Sequence, residues 1–185
     1  MKKVSKIGYD RFSGLHCASY FGIVEIVTSL LEVEGCDINQ TDCTGSTPLV
    51  WAVSSGQEEV VKILLGRDDI NPGKPTSYNE TPLSRATYFG HEGVVKILLR
   101  RDDSDPDKPD EDGMTPLWNA AQFGKEELVK MLLRRADVNP DHPNYYSTTP
   151  LTCAAERGHE GVVKILLGRD DVNPNSQDRD GRTPL

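Results

Sequence analysis

The tripeptide Thr-Pro-Leu recurs at Thr47, Thr81, Thr115, Thr149 and Thr183, each copy 34 residues after the last. A fixed internal period constrains a fold more than any other sequence feature, because every copy must adopt one supersecondary unit that stacks on its neighbours. The repetition extends far beyond the tripeptide. Over the 34 residues that start at Thr81 and at Thr149, 21 positions are identical, including the run His-Glu-Gly-Val-Val-Lys-Ile-Leu-Leu at His91–Leu99 and His159–Leu167. Ser13-Gly14-Leu15 stands in the same place one period before Thr47. The chain therefore reads as a single repeat domain over 1–185. Its repeats are 9–42, 43–76, 77–110, 111–144 and 145–178, with a partial sixth at 179–185.

Within one repeat, Thr47 offers an N-cap hydroxyl and Pro48 fills the first helical position, where a missing N–H costs nothing. Leu49, Ala52 and Val53 form an i, i+3, i+4 apolar stripe, and the alanine recurs as Ala18, Ala86, Ala120 and Ala154. A glycine nine residues after the threonine (Gly22, Gly56, Gly90, Gly124, Gly158) is placed to end this first helix in the left-handed conformation. A second helix is predicted near Glu58 to Leu65, with Glu58 in the first turn, where its charge suits the helix dipole. Its Val60, Val61, Ile63, Leu64 and Leu65 leave only Lys62 polar, so neighbours must cover it on several sides. Gly66 to Pro72 then reads as the start of a turn-rich hairpin connection of about fourteen residues.

Two short helices, a Thr-Pro-Leu start, a central glycine and a long Asp/Pro hairpin resemble the ankyrin repeat from about Tyr9 to Leu185. The resemblance implies an all-α solenoid of helix-turn-helix pairs joined by hairpin loops. The wording Gly-His-Glu-Gly-Val-Val-Lys-Ile-Leu-Leu further resembles ankyrin arrays found at the ends of large fungal proteins, often behind an NTPase module. Departures from the family pattern are visible. The histidine that follows Thr-Pro-Leu in the family is replaced by Val50, Ser84, Trp118 and Thr152, and only the first copy keeps it, as His16. Each repeat is also one residue longer than the usual 33. An extended hairpin, and a second helix ending earlier in copies two to five, account for that length.

Composition narrows the function. The net charge of -8 and pI near 5.0 oppose the counterion-release term that drives nucleic-acid binding. No apolar run approaches the length of a membrane span, and no apolar stretch follows the opening lysines. Cys17, Cys36, Cys43 and Cys153 form neither a CxxC pair nor a zinc-ligand spacing, which fits reduced thiols in a cytoplasmic or nuclear protein. No phosphate-binding glycine motif or nucleophile elbow occurs, so no catalytic residue, cofactor or metal is expected. His91 and His159, at one repeat position beside the glycine, read as turn-stabilising, and His142 as an exposed hairpin residue. The acidic run Asp102–Asp112 reads as a solvated loop edge, and Asn39 as an ordinary hairpin residue.

The resemblance implies a non-catalytic module that binds a protein on the concave side, which hairpins and first helices line. Outward or end positions of first helices are Trp51, Arg85, Tyr88, Phe89, Asn119, Gln122, Phe123, Glu156 and Arg157. Tyr78, Met114, Tyr145 and Tyr146 belong to hairpin tips. Aromatic and Arg side chains are the ones that anchor interfaces. Phe89 and Phe123 have a second reading, as plugs between adjacent helix pairs. Trp51 is expected to face outward; Trp118 lies at the flank of its helix, where packing between neighbouring repeats and exposure are equally open readings. The alternative function is a structural spacer within a larger multidomain, NTPase-linked protein of fungal type. A monomer is expected. The chain stops where Thr183-Pro184 would open another first helix, so it reads as part of a longer array whose uncapped C-terminal end is a place for weak self-association; the first repeat reads as a cap.

Overall fold

The computed structural model describes residues 12–184. Among them are ten helices and no strand, arranged as five antiparallel pairs. The first helices are α1 (Gly14–Phe21), α3 (Pro48–Ser54), α5 (Pro82–Phe89), α7 (Pro116–Gln122) and α9 (Pro150–Glu156). The second helices are α2 (Val24–Leu31), α4 (Glu58–Leu65), α6 (Glu92–Leu98), α8 (Glu126–Leu132) and α10 (Glu160–Leu167). First helices stack on first helices and second on second, so the chain is a two-row solenoid.

The cap chemistry is as the sequence implies. The Thr47, Thr81, Thr115 and Thr149 hydroxyls accept the N–H groups of Val50, Ser84, Trp118 and Thr152 at 3.1–3.3 Å. In the first repeat His16 replaces that arrangement. Its Nδ1 accepts the Ser13 N–H at 3.1 Å, and its Nε2 reaches the Gln40 and Ser46 carbonyls, both at 3.1 Å. Trp118 stands three periods further on and does the same work with an indole, its Nε1–H donating to the Thr148 carbonyl at 3.0 Å. Of the two readings open for Trp118, the packed one holds, with the side chain 5% exposed.

Each first helix ends at its glycine with φ between 63° and 81°. Gly22, Gly56, Gly90 and Gly124 are needed twice over, because the residue ahead of the next repeat's second helix lies across them. A Cβ at Gly56 would come within 2.8 Å of the His91 ring, and one at Gly124 within 2.7 Å of the His159 ring. From that position Nε2 of His91 bonds the Ser54 carbonyl at 3.0 Å, Nε2 of His159 the Gln122 carbonyl at 2.9 Å, and the Gln57 amide the Tyr20 carbonyl at 3.1 Å. The histidines thus tie one repeat to the previous one instead of bracing their own turn.

A second set of ties runs along the other row. Arg101, Arg135 and Arg169 each form an ion pair with the aspartate two residues on, at 2.6–2.8 Å. Each also donates to a last-turn carbonyl of the preceding second helix: Leu65, Leu99 and Leu133, at 3.0–3.1 Å. These carbonyls have no partner within their own helix. Asn39 is a third tie, accepting the Asn71 N–H at 2.7 Å and donating to the Asp69 carbonyl.

The core lies between the rows. Leu49, Ala52, Val53, Val61, Leu64, Ala86, Val95, Leu98, Leu117, Leu132 and Leu151 are fully buried. One expectation holds for only two of the four copies, and one fails. The helices α6 and α8 end one residue before the equivalent of Leu31, but α4 and α10 end at its equivalents, Leu65 and Leu167, so an earlier helix end is not shared by copies two to five. Nor does α2 present the polar outer face of a cap, because Ile23, Ile26 and Val33 are exposed there.

Candidate protein-binding surface

The exposed aromatic residues gather where first helices end. Tyr88 and Phe89 close α5, and Phe123 follows α7 in the next repeat. The Tyr88 ring meets Phe89 and Phe123 edge to face at 5.2 and 5.1 Å, so the three form one patch across two repeats. Phe89 also stacks on His91 and lies under the Arg85 guanidinium, 4.9 Å from its centroid. Their exposures of 46%, 44% and 38% leave the outer edges of all three rings to solvent. Phe123 thus touches the preceding helix pair through Tyr88, Phe89 packs within its own repeat on Arg85, Tyr88 and His91, and both remain accessible.

A shallow depression of about 170 Å³ adjoins this patch, lined by Val50, Trp51, Ser54, Tyr78, Glu80 and Arg85 among others. It brings together three side chains that sequence reasoning named separately: Trp51 from α3, Arg85 from α5 and Tyr78 from a hairpin tip. Arg85 is held by Glu80 at 3.2 Å and by the Ser54 hydroxyl at 3.2 Å. Trp51 does not stand free as the helical wheel implies. Its indole N–H donates to Asp42 at 2.9 Å, and its ring is flanked edge-on by Phe12 and Tyr20 at 5.5 Å each. Burial pushes the Asp42 carboxyl up, but the Thr44 hydroxyl, the Trp51 indole and the Thr44 and Ser46 amides together hold it below its ordinary value.

Of the remaining candidates, Tyr145 and Tyr146 are exposed at a hairpin tip, Tyr146 beneath the Arg179 guanidinium at 5.6 Å. Glu156 and Arg157 are exposed at the end of α9, and Met114 and Gln122 are half-buried. Asn119 is a correction. It is 3% exposed and its amide donates to the Ser84 hydroxyl at 3.3 Å, so it is a tie between α7 and α5 and cannot touch a partner. Sequence reasoning missed Tyr20 and Phe21, which are exposed at the end of α1. The signal was available, for Tyr20-Phe21-Gly22 repeats as Tyr88-Phe89-Gly90 two periods later.

Among the described residues no cluster of His, Cys, Asp or Glu could hold a metal ion, and no helix is long and apolar enough to cross a membrane. The half-buried Asp107 and Asp141, equivalent in adjacent hairpins, each leave one oxygen without a partner, and burial raises both carboxyls. The family model for ankyrin repeats (3 copies) matches residues 15–110 and 102–178. The chain belongs to the ankyrin-repeat family. Ankyrin repeats generally act as protein–protein interaction modules. A shorter stretch of 62 residues is 34% identical to "Probable protein S-acyltransferase 23" of Arabidopsis thaliana, covering 34% of this chain and 12% of that protein. The chain thus spans a small part of that relative's length, and the shared segment lies within an array of ankyrin repeats.

Proposed function

We propose that this ankyrin array is a non-catalytic module that holds a protein partner along its first-helix row. The observation that carries the reading is the Tyr88–Phe89–Phe123 patch, an accessible aromatic surface that crosses two repeats and continues into the depression beside Tyr78 and Arg85. Large rings that are partly fixed by their neighbours lose little freedom on binding and cover much area. The first helices also pack more closely on one another than the second helices do, which supports reading the first-helix row as the concave side. Tyr145 and Tyr146, exposed at a hairpin tip, are read as a further part of the binding side.

The test starts from proteins captured by the intact array and measures their affinity by calorimetry. Tyr88→Ala and Phe123→Ala are expected to weaken binding by about 2 kcal/mol each, roughly thirtyfold. Lys62→Ala, on the second-helix row, is expected to leave it unchanged. Equal losses from all three would move the site off the first-helix row.

A further inference from the structure

We propose that the cleft between α6 and α8, on the second-helix row, is a docking site for an acidic peptide segment carrying a bulky aliphatic side chain. The cleft is a depression of about 190 Å³ lined by Lys96, Leu99, Arg100, Met131, Arg134 and Arg135. Leu99 and Met131 make a half-buried apolar floor, and the cations stand around it.

These cations differ from the other basic residues of the second-helix row. Lys62, Lys130 and Lys164 pair with Glu59, Glu127 and Glu160 on their own helices. Lys96 has the same sequence surroundings as Lys164, with Gly93 three residues back and Glu92 four back, but unlike Lys164 it forms no ion pair or hydrogen bond among the described residues. Arg100 and Arg134 are likewise unpaired there, whereas Arg67, Arg85, Arg101, Arg135, Arg169 and Arg182 are each bound to a carboxylate. The repeat position of Arg100 and Arg134 is glycine in the second and fifth copies, Gly66 and Gly168, and Glu32 in the first. A residue needed merely to finish the second helix would recur in every copy. Instead, two arginines occur in adjacent repeats, on either side of one cleft.

A chain of net charge -8 therefore gathers three cations that form no ion pair around an apolar floor, although the Arg134 charge also acts on Glu127. Carboxylates pair with such guanidinium groups through two parallel N–H donors, and an aliphatic side chain seated on Leu99 and the adaptable Met131 excludes water from those bonds. The exposed Glu92, Glu126 and Glu127 at the opposite ends of α6 and α8 favour a narrow ligand over a broad one. A flat anionic bilayer would meet those carboxylates, whereas a single strand crossing the cleft avoids them. The site is on the opposite row from the aromatic patch and does not depend on it.

The experiment titrates the full chain against a fluorescein-labelled octapeptide, Glu-Asp-Leu-Glu-Leu-Asp-Glu-Asp, by fluorescence anisotropy in low salt. Saturable binding is expected, weakened at least about tenfold by Arg100→Gly with Arg134→Gly, and by a comparable factor when both peptide leucines become serine. The paired change Arg67→Gln with Lys164→Gln removes the same charge elsewhere and is expected to alter binding less than about twofold. Arg100→Gln with Arg134→Gln repeats the loss without adding glycine, with the helical circular-dichroism signal checked in every variant. The proposal is overturned by absence of saturable binding, by equal losses from the cleft and control pairs, or by serine peptides that bind as well as leucine peptides. It is also overturned if vesicles of phosphatidylcholine with phosphatidylserine bind through Arg100 and Arg134 while the peptide does not.

Discussion

Ser147 sits at φ 62° in a hairpin position where the other repeats have Gly45, Gly113 and Gly181, or Asn79. Asparagine tolerates the left-handed region, and Asn79 gains a bond from its amide to the Pro109 carbonyl at 2.9 Å. Serine has no comparable compensation. Ser147→Gly is therefore expected to raise stability by about 0.5–1 kcal/mol, read as a shift of the urea midpoint. His16 supplies a pH dependence. Burial lowers its pKa, against the opposing pull of the Ser46 carbonyl and the Asp42 charge, and Nδ1 is engaged as an acceptor of the Ser13 N–H. The folded chain thus binds this proton less readily than the unfolded one, so the stabilisation is complete above the ordinary value near 6.5 and declines as pH falls below it. Relative to His16→Gln, the native chain should lose up to about 1.4 kcal/mol for each pH unit across that window, measured by urea unfolding at several pH values. At this scale the threonine caps were legible because capping is local. The lie of Trp51 was not, since a helical wheel gives the direction of Cβ and not the acceptor that a long indole finds.

Leu64, Leu98 and Leu132 occupy one position on α4, α6 and α8 and are wholly buried. Each of these helices has a second helix on both sides, so little surrounding structure can collapse into a void. Truncation of any of the three to alanine is expected to cost about 2–5 kcal/mol by urea unfolding, and a loss under 1 kcal/mol at all three would contradict this packing. Helix positions were readable because the apolar stripe, the capping pair and the glycine recur together in five copies. The ties between elements were not. Arg101 to Leu65 and His91 to Ser54 join residues 36 and 37 apart, and a side chain reaching a backbone carbonyl in another repeat leaves no complementary residue type to notice. Asn119 was misplaced for a related reason, since its partner, the Ser84 hydroxyl, belongs to the preceding first helix.

Across the whole molecule, α2 and α10 each rest against one second helix, while α4, α6 and α8 rest against two. Exposure follows, with Ile26 and Leu167 open to solvent where Val60 and Leu65 are covered. The amides of 162–166 should therefore exchange faster than those of 94–98, by hydrogen exchange under native conditions. Equal protection that depended on protein concentration would instead reveal association through the outer helices. The solenoid architecture was legible from the period alone, but which outer faces are apolar depended on residues such as Ile23 and Val33 that lie outside the shared pattern. The ties described above have one more implication. Because Arg135 reaches Leu99 and Arg169 reaches Leu133 by the same geometry, excising the whole stretch 111–144 would set Arg169 opposite Leu99 and His159 opposite the Tyr88 carbonyl, each facing a partner equivalent to its present one. Length in this scaffold is a modular variable: a cassette can be lost or gained in register, shortening the array's reach without breaking the joints, while surfaces built from two particular neighbours, such as Arg100 with Arg134, vanish with the cassette.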